Sequence, residues 1–187
     1  TFSAGPTIVG TAGNNVAAGA HSIHRPDGKF LIVLGGDTTN TSLYDSLNNT
    51  FIAGPAIVAS AGGAGDGANS IKLPSGKFLV FFGRGGSSTG TSIYDPIANT
   101  FVAGPITTFA SSNSIQRPDG KFLLVRSAVE NRTTIFDPLS NTSVQGPFLS
   151  GTSHSGLHSL QLPNGKFLIF DGALSTATDI YDPVTNT

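Results

Sequence analysis

Arg25-Pro26-Asp27-Gly28-Lys29-Phe30 is a short stretch that the chain repeats three more times. In each copy Pro presets φ for a tight turn, a short polar residue follows, and Gly takes a positive φ that closes a hairpin. An apolar run follows each turn, residues 30–34 in the first copy, and predicts a strand that is covered on both faces. The other copies are Leu73-Pro74-Ser75-Gly76-Lys77-Phe78, Arg117-Pro118-Asp119-Gly120-Lys121-Phe122 and Leu162-Pro163-Asn164-Gly165-Lys166-Phe167.

Two other markers recur with the same period and divide the chain into four units. A Gly-Pro pair occurs at residues 5, 54, 104 and 146, and an aromatic-Asp pair occurs at residues 44, 94, 136 and 181. The units cover residues 1–49, 50–99, 100–141 and 142–187, approximately, and leave no room for a linker. The sequence therefore predicts a single repeat domain over residues 1–187.

Each unit contains four short segments with strand character and no helical period. A four-stranded sheet cannot bury both of its faces alone, so we expect the copies to stack radially as the blades of an all-β propeller. The chain begins with a segment of the fourth-strand type, Thr1-Phe2-Ser3-Ala4, and ends after a third-strand segment. Pairing of the first segment with the last blade would close the ring and protect both edges. The alternative is that the four blades form part of a larger ring or array.

The order of these markers resembles the kelch repeat of β-propellers, and the resemblance covers the whole chain. Gly35-Gly36 and Gly85-Gly86 match the diglycine of that repeat, and Phe51 and Phe101 lie where it usually has Trp. Departures occur at Ser127-Ala128, at Gly172 and at Ser143. The family resemblance implies a propeller, although kelch-like rings usually hold more than four blades. Tyr44, Tyr94 and Tyr181 match the tyrosine of the repeat.

Composition excludes several classes of function. Charged residues make up 11% of the chain and the formal net charge is -1, which gives no field to attract nucleic acid. No apolar run approaches the roughly 20 residues of a membrane helix, so no membrane insertion is expected. The chain has no Cys, which excludes disulfides, metal-thiolate sites and the cysteine-tyrosine cross-link of kelch-type copper oxidases.

Four Asn-x-Ser/Thr triplets are candidate N-glycosylation sites, although a chain rich in Asn, Ser and Thr also forms such triplets by chance. Together with the low charge they favour an extracellular or cell-surface protein. The candidate residues are Asn40, Asn48, Asn131 and Asn141.

One polar residue per unit begins the predicted innermost strand, at His21, Asn69, Asn113 and His158. These four side chains could face the axis together and bind water, an ion or a small polar ligand. The interpretation that we favour is that they form hydrogen bonds between neighbouring blades. His154 and His158 lie four residues apart among Gly and Ser, so no helix and no metal site is expected there.

The acidic residues provide no convergent catalytic set. The Asp of each aromatic-Asp pair is expected to accept backbone N-H bonds in a turn. Any two of the acids outside the repeated motifs could form the pair of a glycoside hydrolase, but nothing in the sequence brings a particular pair together. Those acids are Asp37, Asp66, Glu130, Asp171 and Asp179.

The sequence thus predicts a non-catalytic extracellular propeller that acts as an interaction or assembly module, in a coat or fibre for example. We expect protein partners or copies of the same chain, and no cofactor. Two alternatives stay open, which are a glycan-binding propeller with sites in the blade clefts and a carbohydrate-active hydrolase that uses loop carboxylates.

Overall fold

The computed structural model describes residues 1–10, 15–58, 63–83, 90–105, 107, 111–126, 131–152, 156–172 and 175–187. Within these residues the chain forms fifteen β-strands and no helix, so no helix there could cross a membrane. The strands are β1 (His21–His24), β2 (Phe30–Val33), β3 (Thr41–Asp45), β4 (Thr50–Ala53), β5 (Asn69–Lys72), β6 (Phe78–Phe81), β7 (Thr91–Asp95), β8 (Thr100–Ala103), β9 (Ser111–Gln116), β10 (Phe122–Arg126), β11 (Thr133–Asp137), β12 (Thr142–Gln145), β13 (His158–Gln161), β14 (Phe167–Phe170) and β15 (Thr178–Tyr181).

The strands form four antiparallel meanders, which we number as blades 1 to 4 in chain order. Blades 1 to 3 contain β1–β4, β5–β8 and β9–β12, and blade 4 contains β13–β15. The first strands of neighbouring blades contact each other, β5 with β9 and β9 with β13. The expected all-β propeller architecture is confirmed.

The repeated Pro-x-Gly turn has the geometry that its sequence predicts. In the first copy the Arg25 amide donates to the Lys29 carbonyl at 2.9 Å, and the Gly28 amide donates to the Arg25 carbonyl at 3.1 Å. Gly28 has φ 80°, a value that glycine adopts without the steric cost of a side chain. The corresponding glycines of the other three turns have φ between 80° and 82°. The hairpin prediction is therefore confirmed in all four units.

Buried apolar clusters join successive blades face to face. We call the face of a blade that packs on the following blade its forward face, and the opposite one its rear face. Blade 2 packs on blade 3 in this way, with an edge-to-face contact of 6.1 Å between the rings of Phe81 and Phe136. That cluster contains Ile71, Leu79 and Phe81 of the forward face and Phe122, Leu124 and Phe136 of the rear face. Similar clusters join blade 1 to blade 2 and blade 3 to blade 4.

The Gly-Pro pair fastens the end of the fourth strand to the third strand of the same blade. In blade 1 the Gly54 amide donates to the Thr41 carbonyl at 3.1 Å, and the Thr41 hydroxyl donates to the Pro55 carbonyl at 2.6 Å. A Cβ atom on Gly54 would lie 2.3 Å from the Thr41 hydroxyl oxygen, which is too close for any other residue. Blades 2 and 3 repeat this arrangement at Gly104 and Gly146.

The predicted closing strand is not formed, and this part of the fold prediction needs correction. Residues 1–10 contain no strand, the side chain of Phe2 is fully exposed, and β14 is the one described sheet partner of β15. The segment is held on blade 1 instead, where the Val9 carbonyl accepts a hydrogen bond of 2.7 Å from the Ser42 hydroxyl. Because no buried cluster joins blade 4 to blade 1 among the described residues, nothing brings residues 1–4 beside β15.

Replacement of Leu79 by Ala tests whether the blade interfaces stabilise the fold. Leu79 is 1% exposed between blades 2 and 3, so Leu79→Ala should lower the free energy of unfolding by about 2–5 kcal/mol. Leu47 is 94% exposed, and Leu47→Ala is the matched control, with an expected change within about 0.5 kcal/mol. Urea titration followed by circular dichroism measures both variants. Equal effects of the two substitutions would contradict the prediction.

Candidate functional site

The forward face of blade 4 is open, unlike the forward faces of the other blades. Leu160 and Ile180 are each 53% exposed, and Phe170 is 40% exposed. Their counterparts in blades 1 to 3 are buried or half-buried inside the interblade clusters. Exposed apolar residues that lie together on one sheet face are typical of an interaction surface.

The rear face of blade 1 is the second open surface. Ile32 and Tyr44 are half-buried, whereas the equivalent Val80 and Tyr94 of blade 2 are both 0% exposed. The aromatic pair of Tyr44 and Phe51 is nevertheless assembled, with ring centroids 4.8 Å apart. The corresponding pair in blade 2 has a separation of 4.9 Å. The rear face of blade 1 therefore has its residues arranged as in a blade interface, but no described blade packs on it.

An arginine in the Pro-x-Gly turn joins blade 1 to blade 2. The Arg25 guanidinium donates to the Tyr94 hydroxyl at 2.6 Å, to the Asn99 side-chain oxygen, and to both Asp27 carboxylate oxygens at 3.0 and 3.1 Å. Burial alone would lower the pKa of Arg25, but the Asp27 and Tyr94 contacts outweigh burial and raise the pKa. Burial raises the pKa of Tyr94, so its hydroxyl keeps its proton.

The same contact joins blade 3 to blade 4. There the Arg117 guanidinium donates to the Tyr181 hydroxyl at 2.6 Å and to the Asn186 side-chain oxygen at 2.5 Å, and it pairs with Asp119. Sequence reasoning identified the turn as a structural part but missed this contact. The signal was present in the alternation of Arg and Leu before the repeated Pro.

The aspartates of the aromatic-Asp pairs have the structural role that was expected of them. Asp45 accepts hydrogen bonds from the Leu47 and Asn48 amides at 3.0 and 3.2 Å, and it forms an ion pair with Lys29 at 3.1 Å. Hydrogen bonds from the Asn48 side chain and from Lys29 lower the pKa of Asp45 to about 2. Asp95, Asp137 and Asp182 accept the equivalent backbone bonds. Each also forms an ion pair with the lysine of the Pro-x-Gly turn in the same blade.

Two of the four predicted axial residues form hydrogen bonds to the neighbouring blade. The Asn69 side-chain amide donates to the Ser111 carbonyl at 3.0 Å, and Asn113 accepts a bond of 3.0 Å from the Ser159 hydroxyl. His21 bonds within its own blade, from Nδ1 to the Gly19 carbonyl at 3.0 Å. His158 is exposed.

A cavity of about 470 Å³ lies where the loops before β1, β5 and β13 meet, and His158 is part of its lining. Burial lowers the pKa of His21, which keeps the ring neutral and leaves Nε2 as an acceptor. His21 Nε2 and Asn69 Oδ1 are enclosed and have no hydrogen-bond partner among the described residues. Ligand binding by the axial residues stays a prediction.

A groove of about 500 Å³ lies between the turns of blades 1 and 2, with Phe78, Ile97 and His24 in its lining. This is the cleft in which the glycan-binding alternative would place a sugar. Asp95 in the lining pairs with Lys77 and Arg25 bonds to blade 2, whereas the exposed Lys72 also lines the groove. Glycan binding in this groove stays a prediction.

Two of the acids that the hydrolase alternative could use lie on blade 4. Asp171 and Asp179 lie diagonally across the pairing of β14 with β15. Asp171 is 1% exposed, so a substrate cannot reach it, and Asp179 accepts a bond from the Ser150 amide at 3.0 Å. Asp37 is exposed and Asp66 is half-buried, and Glu130 lies outside the described residues.

The candidate glycosylation sites differ in accessibility. Asn131 and Asn141 are exposed, whereas Asn40 is half-buried. Asn48 is exposed, but its side-chain amide donates to Asp45 at 3.0 Å. Glycosylation stays a prediction, and the first two residues are the most accessible acceptors.

Some predicted features fall outside the described residues, namely His154 and the segments Gly85-Gly86 and Ser127-Ala128. Within the part of the chain that the structure describes, no group of three or more His, Asp or Glu side chains could hold a metal ion.

Comparisons with known proteins support the architecture. No family model matches the chain, and the search of curated proteins finds no match. Among solved structures, the chain is similar to Kuenenia stuttgartiensis hydrazine synthase, with a TM-score of 0.60 and 15% sequence identity. The similarity covers 94% of this chain and 50% of that chain, so this chain spans about half the length of its structural neighbour. At this identity the likeness shows the fold alone, which is that of a β-propeller.

Substitution of Arg25 by Lys tests the arginine contact between blades 1 and 2. A lysine cannot reproduce the fork that reaches Tyr94, Asn99 and Asp27 together, so Arg25→Lys should lower the free energy of unfolding by about 1–3 kcal/mol. Arg132 is exposed, and Arg132→Lys is the control, with an expected change within about 0.5 kcal/mol. Denaturant unfolding measures both variants, and an unchanged stability of Arg25→Lys would refute this role.

Proposed function

We propose that this chain is a kelch-like β-propeller module that acts outside the cell by docking protein partners, or copies of itself, on its open blade faces. The observation that carries the proposal is the exposure of the forward face of blade 4, at Leu160, Phe170 and Ile180. The same face is buried against a following blade in each of blades 1 to 3. A surface of this kind gains free energy when a partner covers it, at roughly 25 cal/mol per Å² of apolar area.

Two features of the blades support the kelch assignment. Tyr94 and Tyr181 are buried at blade interfaces, at the position of the tyrosine of that repeat. Gly35 and Gly36, which match its diglycine, both have positive φ values, 76° and 67°. Each residue of this pair therefore has a backbone conformation that favours glycine.

The free edge of β15 provides a second means of docking. β15 pairs with β14 and presents its other edge without a strand in the described residues. Exposed strand edges accept extended segments of other chains by backbone hydrogen bonding. A partner could therefore contact blade 4 through its forward face and through this edge at once.

The proposed extracellular location rests on the sequence. Charged residues make up 11% of the chain, against about 25% in ordinary soluble domains. Three of the four candidate glycosylation sites, Asn48, Asn131 and Asn141, are exposed. A non-catalytic role is favoured because Asp45, Asp95, Asp137 and Asp182 take part in turns and Asp171 is buried.

Sedimentation velocity over a range of protein concentrations tests the proposed docking function. The wild-type chain should form particles larger than its 19.1 kDa mass, because association buries the forward face of blade 4. The double variant Leu160→Glu, Ile180→Glu should remain monomeric, since each Glu places a charge in that face. The matched control is Leu47→Glu, Ile97→Glu, at positions that are 94% and 87% exposed in turns, and it should associate like the wild type.

Two results would contradict the proposed assembly. One is a wild-type chain that sediments as a monomer at every concentration. The other is equal dissociation of the test and control variants, which would show that added negative charge, and not the face, is responsible.

A further inference from the structure

Arginine in the Pro-x-Gly turn and tyrosine in the next blade occur together. Arg25 meets Tyr94 of blade 2, and Arg117 meets Tyr181 of blade 4, each at 2.6 Å. In both cases an asparagine, Asn99 or Asn186, lies four residues after the Asp of the aromatic-Asp pair. Its side-chain oxygen accepts from the guanidinium nitrogen that also donates to the tyrosine. The tyrosine hydroxyl also donates to that asparagine, at 2.8 and 3.0 Å.

The interface between blades 2 and 3 replaces both partners by apolar residues. Leu73 stands at the arginine position and packs against the cluster that contains Phe136 at the tyrosine position. A hydroxyl without its arginine would be buried there at a cost of about 1–3 kcal/mol, and so would an arginine without its hydroxyl. An arginine before the Pro of one turn therefore occurs with a tyrosine in the next blade, and a leucine at that position occurs with a phenylalanine.

Blade 1 holds the tyrosine and asparagine of this contact without an arginine. The Tyr44 hydroxyl donates to the Asn49 side-chain oxygen at 2.9 Å, as the equivalent pairs do in blades 2 and 4. Asn49 has φ 53°, close to the 56° of Asn99 and the 61° of Asn186, so the acceptor is held in the same backbone conformation. Among the described residues, neither the Tyr44 nor the Asn49 side chain accepts a hydrogen bond from an arginine or a lysine.

The tyrosine of blade 1 is also less buried than the tyrosines of blades 2 and 4. Tyr94 is 0% exposed and Tyr181 is 3% exposed, whereas Tyr44 is half-buried and Asn49 is exposed. The rear face of blade 1 thus has the geometry of a completed interface, and a covering unit would have to satisfy two oxygen atoms as it buries them.

We propose that the rear face of blade 1 docks a blade-like unit that carries an Arg-Pro-Asp-Gly turn, whose guanidinium donates to the Tyr44 hydroxyl and the Asn49 side-chain oxygen. The inference deepens the proposed function and rests on it, because it takes the open faces to be docking surfaces. It goes further by naming the chemical group that the partner must supply.

A second copy of this chain does not meet that requirement at its own open face. Its blade 4 presents Leu162 at the arginine position, in the sequence Leu-Pro-Asn-Gly. Docking of this forward face on blade 1 would bury Tyr44 and Asn49 against an aliphatic side chain. The rear face of blade 1 therefore selects a unit of the Arg25 or Arg117 type.

A fusion protein provides the added blade and tests the inference. A copy of residues 105–141, which contains the Arg117 turn, is placed directly before Thr1 of the full chain. Residues 1–4 then follow Asn141 of the copy, as residues 142–145 do in the native third blade. The fused blade should slow amide hydrogen exchange in β3 and β4, which form the rear face around Tyr44.

Two substitutions in the fusion isolate the arginine. Arg117→Leu in the copy alone and Tyr44→Phe should each lower the midpoint of thermal unfolding of the fusion by about 2–4 °C. The two together should lower it no further than one alone, because both remove the same contact. Tyr44→Phe in the unfused chain is the control, and it should lower the midpoint by less than in the fusion, because only the exposed bond from Tyr44 to Asn49 is lost there.

The possible outcomes are distinct. If exchange in β3 and β4 stays slow in both variants and their thermal stability does not fall, docking at this face would be supported. The requirement for arginine would then be overturned. Unchanged exchange on fusion would overturn docking at this face, while the association through blade 4 is measured separately. A dimer of the unfused chain that protects β3 and β4 equally in the wild type and in Tyr44→Phe would place a second copy on this face and also overturn the inference.

Discussion

Each blade of this protein is a sheet with two apolar faces, and it is stable only where another blade covers them. Single four-stranded sheets of this size cannot exclude water from both sides, so the energy that holds the fold lies between the blades and not within them. Among the described residues, blades 2 and 3 are covered on both faces, whereas blades 1 and 4 are each covered on one. The positions of the open faces follow from this arrangement, and the proposed function follows from the open faces.

The interfaces combine general apolar packing with one specific polar contact. Leucine, isoleucine and phenylalanine residues would pack in many combinations, so they provide stability but little selectivity between blades. The Arg25 and Arg117 guanidinium groups each need a hydroxyl and an amide oxygen at fixed positions, and Leu73 needs their absence. Each polar contact therefore requires matched groups on the two blade faces that it joins.

Much of the fold could be predicted from the sequence, because the repeat fixes the local structure four times over. The turn glycines and the strand positions are dictated by short-range sterics, and the structure confirms them. The closing strand could not be predicted, because the pairing of residues 1–4 with β15 depends on whether blade 4 reaches blade 1, a long-range property. The Arg25 contact with Tyr94 joins residues that are 69 positions apart. A single sequence indicates it only when the turn of each repeat is compared with the aromatic residue of the next repeat.

Native-state hydrogen exchange on β6 and β14 tests most directly whether blade contacts stabilise the fold. The two strands have the sequences FLVF and FLIF, and each is the second strand of its blade with a hydrogen-bonded neighbour on both sides. They differ in that β6 has a blade on either face and β14 has one on a single face. The account predicts that β6 amides exchange at least about tenfold more slowly than β14 amides under conditions where the chain is monomeric. Equal protection of the two strands would show that hydrogen bonding within each sheet, and not packing between blades, holds the fold together.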